Sequence, residues 1–272
     1  MTAHAESRGQ QPISRFAPSP TGMLHLGHAY SAVMAHDLAR TGGGQFLVRI
    51  EDIDEGRCRS EFVQAIFDDL RWLGLGWDSV SVQSEHGARY RAAVEPLQAA
   101  GLVYRCICTR AEIAASATAP QGDVPPVYPG TCRGRTLDNG PAAWRLDIAK
   151  AAALGNPARA WGDVVIARKD ALASYHLAVV VDDAAEGVTD VVRGRDLESA
   201  TDVHRLLQRL LGLPTPRYHH HPLVCAMDGK RLAKRIGSTT LAELRAGGMQ
   251  PDQLVSELRA GRLPIGFTFD NA

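Results

Sequence analysis

Arg15-Phe-Ala-Pro-Ser-Pro-Thr-Gly-Met-Leu-His-Leu-Gly-His28 is the stretch on which the reading of this chain turns. Residues 13–18 have the character of a short strand. Residues 27–40 carry helical spacing and are stopped by Gly42-Gly-Gly44. His25 and His28 therefore fall at a strand-to-helix junction, in the first helical turn. Backbone N–H groups there lack intrahelical partners and the helix dipole presents its positive end, which suits a phosphate. Gly27 removes a Cβ between the histidines and lets a flat ring lie against the backbone. Taken alone, the pattern is equally well two surface histidines beside a capping glycine.

Working outward, residues 45–52 return as a buried strand with two carboxylates, Glu51 and Asp52, at its end. A helix is predicted after Ser60, with Phe62, Val63, Ile66, Phe67, Leu70 and Leu73 on one face. Another is predicted over residues 86–100, kinked or divided by Pro96. This alternation predicts an α/β fold with a parallel sheet whose ligands sit at the C-terminal strand ends. From residue 106 to 162, Ala, Pro, Gly and Thr dominate, and an insertion with little regular structure is expected. Sheet-like sequence resumes at Asp163-Val-Val-Ile-Ala, Tyr175-His-Leu-Ala-Val-Val-Val and Val188-Thr-Asp-Val-Val-Arg193. Residues 199–211 read as helix, and the tail after Ser238 as two short helices.

The chain has 272 residues, 45% of them apolar and 22% charged, enough for a real core. Thirty basic residues balance thirty acidic ones, so a nucleic-acid partner has to be held by a local basic face. The polar N-terminal dozen residues do not read as a signal peptide, and no window approaches a membrane span, so no membrane partner is expected. Five cysteines without a secretion signal argue against a disulfide framework and for a reducing cytoplasm.

Far downstream, Asp228-Gly-Lys-Arg-Leu-Ala-Lys-Arg235 forms a basic run. Such a run is usually a solvated turn. Together with the histidines it supplies what attack of a carboxylate on the α-phosphate of ATP requires. The helix N-terminus with His25 and His28 meets the α-phosphate, and Lys234 is a cation for the β- and γ-phosphates. Magnesium (Mg2+) accompanies the ATP.

On these residues the chain resembles the class I aminoacyl-tRNA synthetases of the glutamyl type. Residues 15–28 resemble the family's extended HIGH motif nearly position for position, and Arg49-Ile-Glu-Asp-Ile-Asp54 resembles its RxEDTD segment. Residues 228–235 take the place of the KMSKS loop, with Arg231 for its first lysine, Ala233 for its serine and Lys234 retained. The likeness runs over residues 15–240. It implies a Rossmann-like catalytic domain in two halves, residues 13–105 and 163–240. Around these are expected a disordered leader (1–12), a zinc-bearing insertion (106–162) and a short helical tail (241–272).

The resemblance further implies that His25, Gly27, His28 and Lys234 bind ATP, with His25, His28 and Lys234 catalytic. It implies that Arg15, Tyr175 and Arg193 recognise the side chain of L-glutamate, and that Ala17, Ser19 and Glu51 hold its amino end. Arginine suits a carboxylate because its fork donates two hydrogen bonds at once. Glu51 suits an α-ammonium. The competing reading of Arg193 is an ion pair with Asp190 or Asp196, and that of Tyr175 is sheet packing. Aspartate would be rejected only by pocket length.

Cys106-Ile-Cys108 and Tyr128-Pro-Gly-Thr-Cys132 place three thiols in the insertion. They are either small buried apolar groups or, completed by Tyr128, a zinc (Zn2+) site of the CxC…YxxxC kind that the resemblance implies. Cys58 and Cys225 read as structural. His219-His-His221 reads as a strand edge, because successive side chains on a strand alternate.

Only a short tail follows the lysine loop, where coding members of the family continue into an anticodon-reading helical domain. The resemblance then implies an offshoot, a monomer, that activates glutamate without tRNA. It esterifies the glutamate to the queuosine base at the first anticodon position of tRNA(Asp). Arg133, Arg135, Arg205, Arg209 and Lys230 are candidate phosphate contacts. Two other readings stay open: a truncated enzyme charging the 3′ end of tRNA(Glu), and a non-catalytic zinc-stabilised RNA-binding module.

Overall fold

The structure, a computed structural model, describes residues 11–109, 111–113, 127–138, 140–152, 161–169, 171, 173–227, 232 and 239–270. Most of the expected leader and, apart from Leu232, all of the lysine loop including Lys234 lie outside the described residues.

The first half alternates as its periodicity predicts: β1 (Ile13–Phe16), α1 (Leu26–Thr41), β2 (Gln45–Ile50), α2 (Ser60–Trp72), β3 (Ser79–Val82) and α3 (Gly87–Ala99). Gly43, at φ +66°, makes the left-handed turn after α1 that a Cβ would disfavour. Pro96 neither divides α3 nor ends it at once. It sits in the last turn, where the missing N–H removes a single intrahelical bond shortly before the helix stops.

The chain then leaves the central sheet. β4 (Val103–Cys106) pairs antiparallel with β5 (Ala143–Leu146), which pairs antiparallel with β6 (Val165–Ala167); α4 (Ile148–Ala152) lies between the last two. The expectation of little regular structure after residue 106 is thus corrected. The cysteine-bearing segment is built on a three-stranded antiparallel sheet, and the Val165–Ala167 strand belongs to it. Its strands are short and far apart in sequence, so no local pattern announced their pairing.

A second correction concerns Tyr175-His-Leu-Ala-Val-Val-Val, read as sheet and found as the start of helix α5 (Tyr175–Ala185). Ser174 caps it, its Oγ accepting from the Leu177 N–H at 3.4 Å. Leu177 through Val181 are all buried, because α5 packs against α3, β6 and α6 (Ala200–Leu210). A helix apolar all round loses the period that distinguishes it from a strand.

The remaining elements are β7 (Asp190–Gly194), β8 (Arg217–His221), β9 (Val224–Ala226), α7 (Leu241–Ala246), α8 (Pro251–Arg259) and β10 (Phe267–Phe269). The central sheet is parallel throughout and ordered β3-β2-β1-β7-β8. Strand order reverses between β1 and β7, the switch point at which doubly wound Rossmann-type sheets open a crevice. His219, His220 and His221 lie on β8, at the sheet's edge.

The tail contains its two helices and also β10, which pairs antiparallel with β9. Leu241, Leu254, Val255 and Leu258 share one core with Leu26, Ala29 and Val33 of α1. Arg259 holds Asp37 of α1 through two hydrogen bonds of 2.8 and 2.9 Å. No helix among the described residues is long and apolar enough to cross a membrane. Because Leu254 is fully buried in this shared core, Leu254→Ala is expected to cost about 2–5 kcal/mol in urea unfolding. A loss below about 0.5 kcal/mol would mean that the tail adds nothing to the core.

Candidate active site

The C-terminal ends of β1, β2 and β7, the N-termini of α1 and α5, and the β8–β9 connection surround one cavity of about 640 Å³. Two backbone bonds fix the loop after β1. Glu51 N–H donates to the Pro18 carbonyl at 3.1 Å, and Arg59 N–H to the Pro20 carbonyl at 3.1 Å.

His25, Gly27, His28, Leu223, Val224 and Leu232 line one end of the cavity. His25 is the N-cap of α1. Its Nδ1 accepts from the Gly27 N–H at 3.2 Å, and His28 Nδ1 accepts from the His25 N–H at 3.1 Å. Both imidazoles, when neutral, therefore carry their proton on Nε2. The rings lie 3.8 Å apart between centroids. A Cβ on Gly27 would stand 3.1 Å from His25 Cε1 and 3.2 Å from its Nδ1. An alanine there would press on the ring and disturb the cap. The tail fixes the same corner: Leu241 N–H donates to the Leu24 carbonyl at 2.8 Å, and Thr240 bridges to His25.

Arg15, Ala17, Ser19, Glu51, Tyr175 and Arg193 line the other end. Arg15 gives Nε to Asp183 Oδ1 at 2.9 Å and Nη2 to Oδ2 at 3.4 Å. Arg49, fully buried, reaches Asp183 at 2.7 Å, Glu186 at 2.6 Å and Glu51 at 3.7 Å. Burial alone would push the Asp183 carboxyl up, but Arg15 and Arg49 outweigh it and hold it below the usual carboxylate range. At Glu51 burial wins against the pull of Arg49 and Arg15, and the carboxyl rises to about 7. Burial also pushes the Tyr175 hydroxyl up to about 12.

Arg193 is different. It is buried, yet among the described residues no carboxylate pairs with it. Nη1 donates to His204 Nδ1 at 3.1 Å, Nη2 to Thr201 Oγ1 at 2.8 Å and Nε to His220 Nε2 at 3.4 Å. The Tyr218 ring lies 5.0 Å from its guanidinium carbon. The competing ion pair with Asp190 is absent, since Asp190 binds Arg217 and His219. Burial and the nearby Arg193 charge push His204 well below its ordinary range and His176 down to about 4.

The described residues carry a further family of contacts at the antiparallel sheet. The sulfurs of Cys106, Cys108 and Cys132 lie within 4.8 Å of one another, and Tyr128 Oη stands 3.4 Å from Cys106 Sγ and 3.5 Å from Cys108 Sγ. Oη accepts from the Cys132 N–H at 2.8 Å. Tetrahedral zinc with sulfur at about 2.3 Å sets sulfurs about 3.8 Å apart. Cys108 and Cys132 stand at 3.5 Å, so the cluster can hold a metal ion. Burial alone would raise the Cys132 thiol. The Tyr128 hydroxyl, the Ile107 backbone and the other thiols together bring it down to about 7. All five cysteines are without a disulfide.

A match to the family model for class I tRNA synthetases (E and Q), catalytic domain, covers residues 13–135 and 147–265. The chain belongs to that family. A relative from Rhodobacter capsulatus, named glutamyl-Q tRNA(Asp) synthetase, is 48% identical over 268 residues, 88% of this chain and 96% of the relative. A relative of the same name from Symbiobacterium thermophilum is 44% identical, covering 90% of this chain and 84% of its own length. A glutamate tRNA ligase from Elizabethkingia meningosepticum, solved in complex with its amino acid, superposes with a TM-score of 0.76. At 24% identity that likeness shows the fold alone. It covers 92% of this chain, which spans 60% of the ligase chain.

This class I synthetase, a ligase, thus gathers in one cavity every sequence-predicted ligand-facing residue except Lys234, which lies outside the described residues. Of the candidate phosphate contacts, Arg133 is committed to Asp163 at 2.5 Å, Arg135, Arg205 and Arg209 are exposed, and Lys230 lies outside the described residues. Sequence reasoning missed Asp183, His176 and His204. The available signal for Asp183 was the Asp182-Asp183 pair closing an apolar run. For the histidines no local signal existed.

The Glu51 shift has a measurable sign. Unfolded Glu51 ionises near the ordinary carboxylate value and folded Glu51 near 7, so its contribution to stability is full at low pH and is lost as pH rises through 7. From about pH 5 to about pH 8 the ligand-free protein should lose up to about 3 kcal/mol relative to Glu51→Gln. Parallel stability–pH curves in urea titrations of the two proteins would refute a raised Glu51.

Proposed function

We propose that this chain activates L-glutamate with MgATP, without needing tRNA, and esterifies it to the queuosine base at the first anticodon position of tRNA(Asp). The observation that carries the glutamate half is Arg193, a buried cation facing the cavity and met, among the described residues, only by neutral groups. A buried charge without a counter-ion is costly, and a ligand carboxylate removes that cost. Arg15 does not supply this need alone, because Asp183 already holds two of its nitrogens. Across the cavity Glu51 is poised for an ammonium, which would favour its ionised form. The acceptor half rests on the relatives named glutamyl-Q tRNA(Asp) synthetase.

Arg193 and Tyr175 hold the side-chain carboxylate, and Ala17, Ser19 and Glu51 hold the amino end. This leaves the α-carboxylate directed toward the N-terminus of α1. One of its oxygens attacks the ATP α-phosphorus in line. A mixed anhydride forms, the bond from the α-phosphorus to the bridging oxygen breaks, and pyrophosphate leaves. The Nε2–H groups of His25 and His28 donate to phosphate oxygens at the positive end of the α1 dipole, and Lys234 neutralises the departing charge. A hydroxyl of the queuosine cyclopentenediol then attacks the activated carbonyl. Its proton ends on the released AMP or on solvent. Positioning and electrostatics supply the rate, with no covalent enzyme intermediate.

Zinc held by Cys106, Cys108, Tyr128 and Cys132 would tie the end of β4 to the 128–132 segment as a structural clamp. Labelled glutamate with ATP should pass to tRNA(Asp) containing queuosine and not to tRNA(Asp) lacking it. Equal labelling of both, or labelling of tRNA(Glu), would reassign the acceptor. Purified protein should carry a single zinc per chain. Chelation should lower its melting temperature and expose the three thiols to a thiol reagent. Thiols that react equally fast before and after chelation would remove zinc from the site.

A further inference from the structure

The support beneath Arg193 contains a second histidine. His204 Nδ1 accepts from Arg193 Nη1 at 3.1 Å, and His204 Nε2 lies 3.2 Å from His176 Nδ1. A guanidinium only donates, so His204 Nδ1 must present a lone pair. The His204 proton then sits on Nε2 and is donated to His176 Nδ1, which places the His176 proton on its own Nε2. A doubly protonated His204 would set N–H against N–H at Arg193. The remaining acceptors, Thr201 Oγ1 and His220 Nε2, are uncharged as well. His176 packs edge-on against Trp161, and His204 against Tyr175, so both rings are held by aromatic neighbours.

We propose that the His176–His204 pair is a positioning device that makes the site selective for charge. It aims Arg193 through a neutral acceptor and leaves the guanidinium charge to be met by the ligand's side-chain carboxylate. This rests on the reading of Arg193 as the residue that binds that carboxylate. A carboxylate in place of His204 would orient Arg193 equally well, as Asp183 orients Arg15, but would cancel the charge on which discrimination against the isosteric amide depends. Glutamate and glutamine differ in little else, so the neutral support is what separates them.

The test uses His204→Asn and His204→Asp, two isosteric variants of the full chain that differ in charge. Each is assayed by ATP–pyrophosphate exchange with glutamate and with glutamine, beside Arg193→Ala. His204→Asn, which keeps a neutral acceptor, should leave the glutamate KM within about threefold of the parent. His204→Asp should raise it about thirtyfold or more, with kcat within about threefold, and the preference for glutamate over glutamine should fall in step. Equal KM values in the two variants, or an unchanged glutamate-to-glutamine ratio in His204→Asp, would overturn the proposal. If Arg193→Ala leaves the glutamate KM unchanged, the reading of the site itself fails. If it raises KM while Asn and Asp behave alike, only the histidine pair fails. Independently of substrate, 15N shifts of both imidazoles in the unsubstituted protein should report the neutral Nε2–H tautomer down to about pH 5.5. A ring that titrates at its ordinary value overturns the proposal whatever the kinetics show.

Discussion

The Asp183 carboxylate accepts from two buried guanidiniums, Arg15 at 2.9 Å and Arg49 at 2.7 Å. These three groups come from β1, β2 and α5, so a single carboxylate joins the two central strands to the helix behind them. The network extends through Arg49 to Glu186 and Glu51. Removing one member of a buried ion pair leaves the others uncompensated at about 3–5 kcal/mol. That penalty ties α5 to the paired strands β1 and β2 behind the cavity. Arg15, Ala17 and Ser19 on one side and Glu51 on the other face the cavity above it.

The cavity combines two electrostatic regimes. Around Asp183 the charges are matched and serve the fold. Around Arg193 the cation is unmatched among the described residues, and its supports are polar but neutral. The His25–His28 end uses a third device, the positive end of a helix dipole, with both histidines spending Nδ1 on the helix backbone and keeping Nε2 free of it. Each end is thus set by what its side chains already do for the protein before any ligand arrives.

Much of this was legible in the sequence. The strand–helix order of residues 13–100, the placement of His25 and His28 at a helix start and the convergence of Arg15, Glu51, Tyr175 and Arg193 all follow from local pattern and from the family's motifs. What was not legible depends on distance or on the loss of pattern. The α5 run Leu177 to Val181 is buried on every side and carries no helical period. The β4, β5 and β6 pairings join segments far apart in the chain, which sequence spacing does not encode. Asp183 and His204 act through other side chains, and no short motif marks a residue whose role is to hold another. Lys234 is the converse case, read from the motif alone.

The neutral cradle of Arg193 bears on how such a pocket can change over generations. Substituting Arg15, Arg49 or Asp183 strands a buried charge, so any one of them is locked unless several change together. Arg193 carries no such lien. A small uncharged residue in its place would leave His204, Thr201 and His220 as polar groups able to bond with one another or with water, as Thr201 and His220 already do at 3.2 Å. Arg193 is therefore the buried arginine of the pocket whose replacement strands no opposite charge.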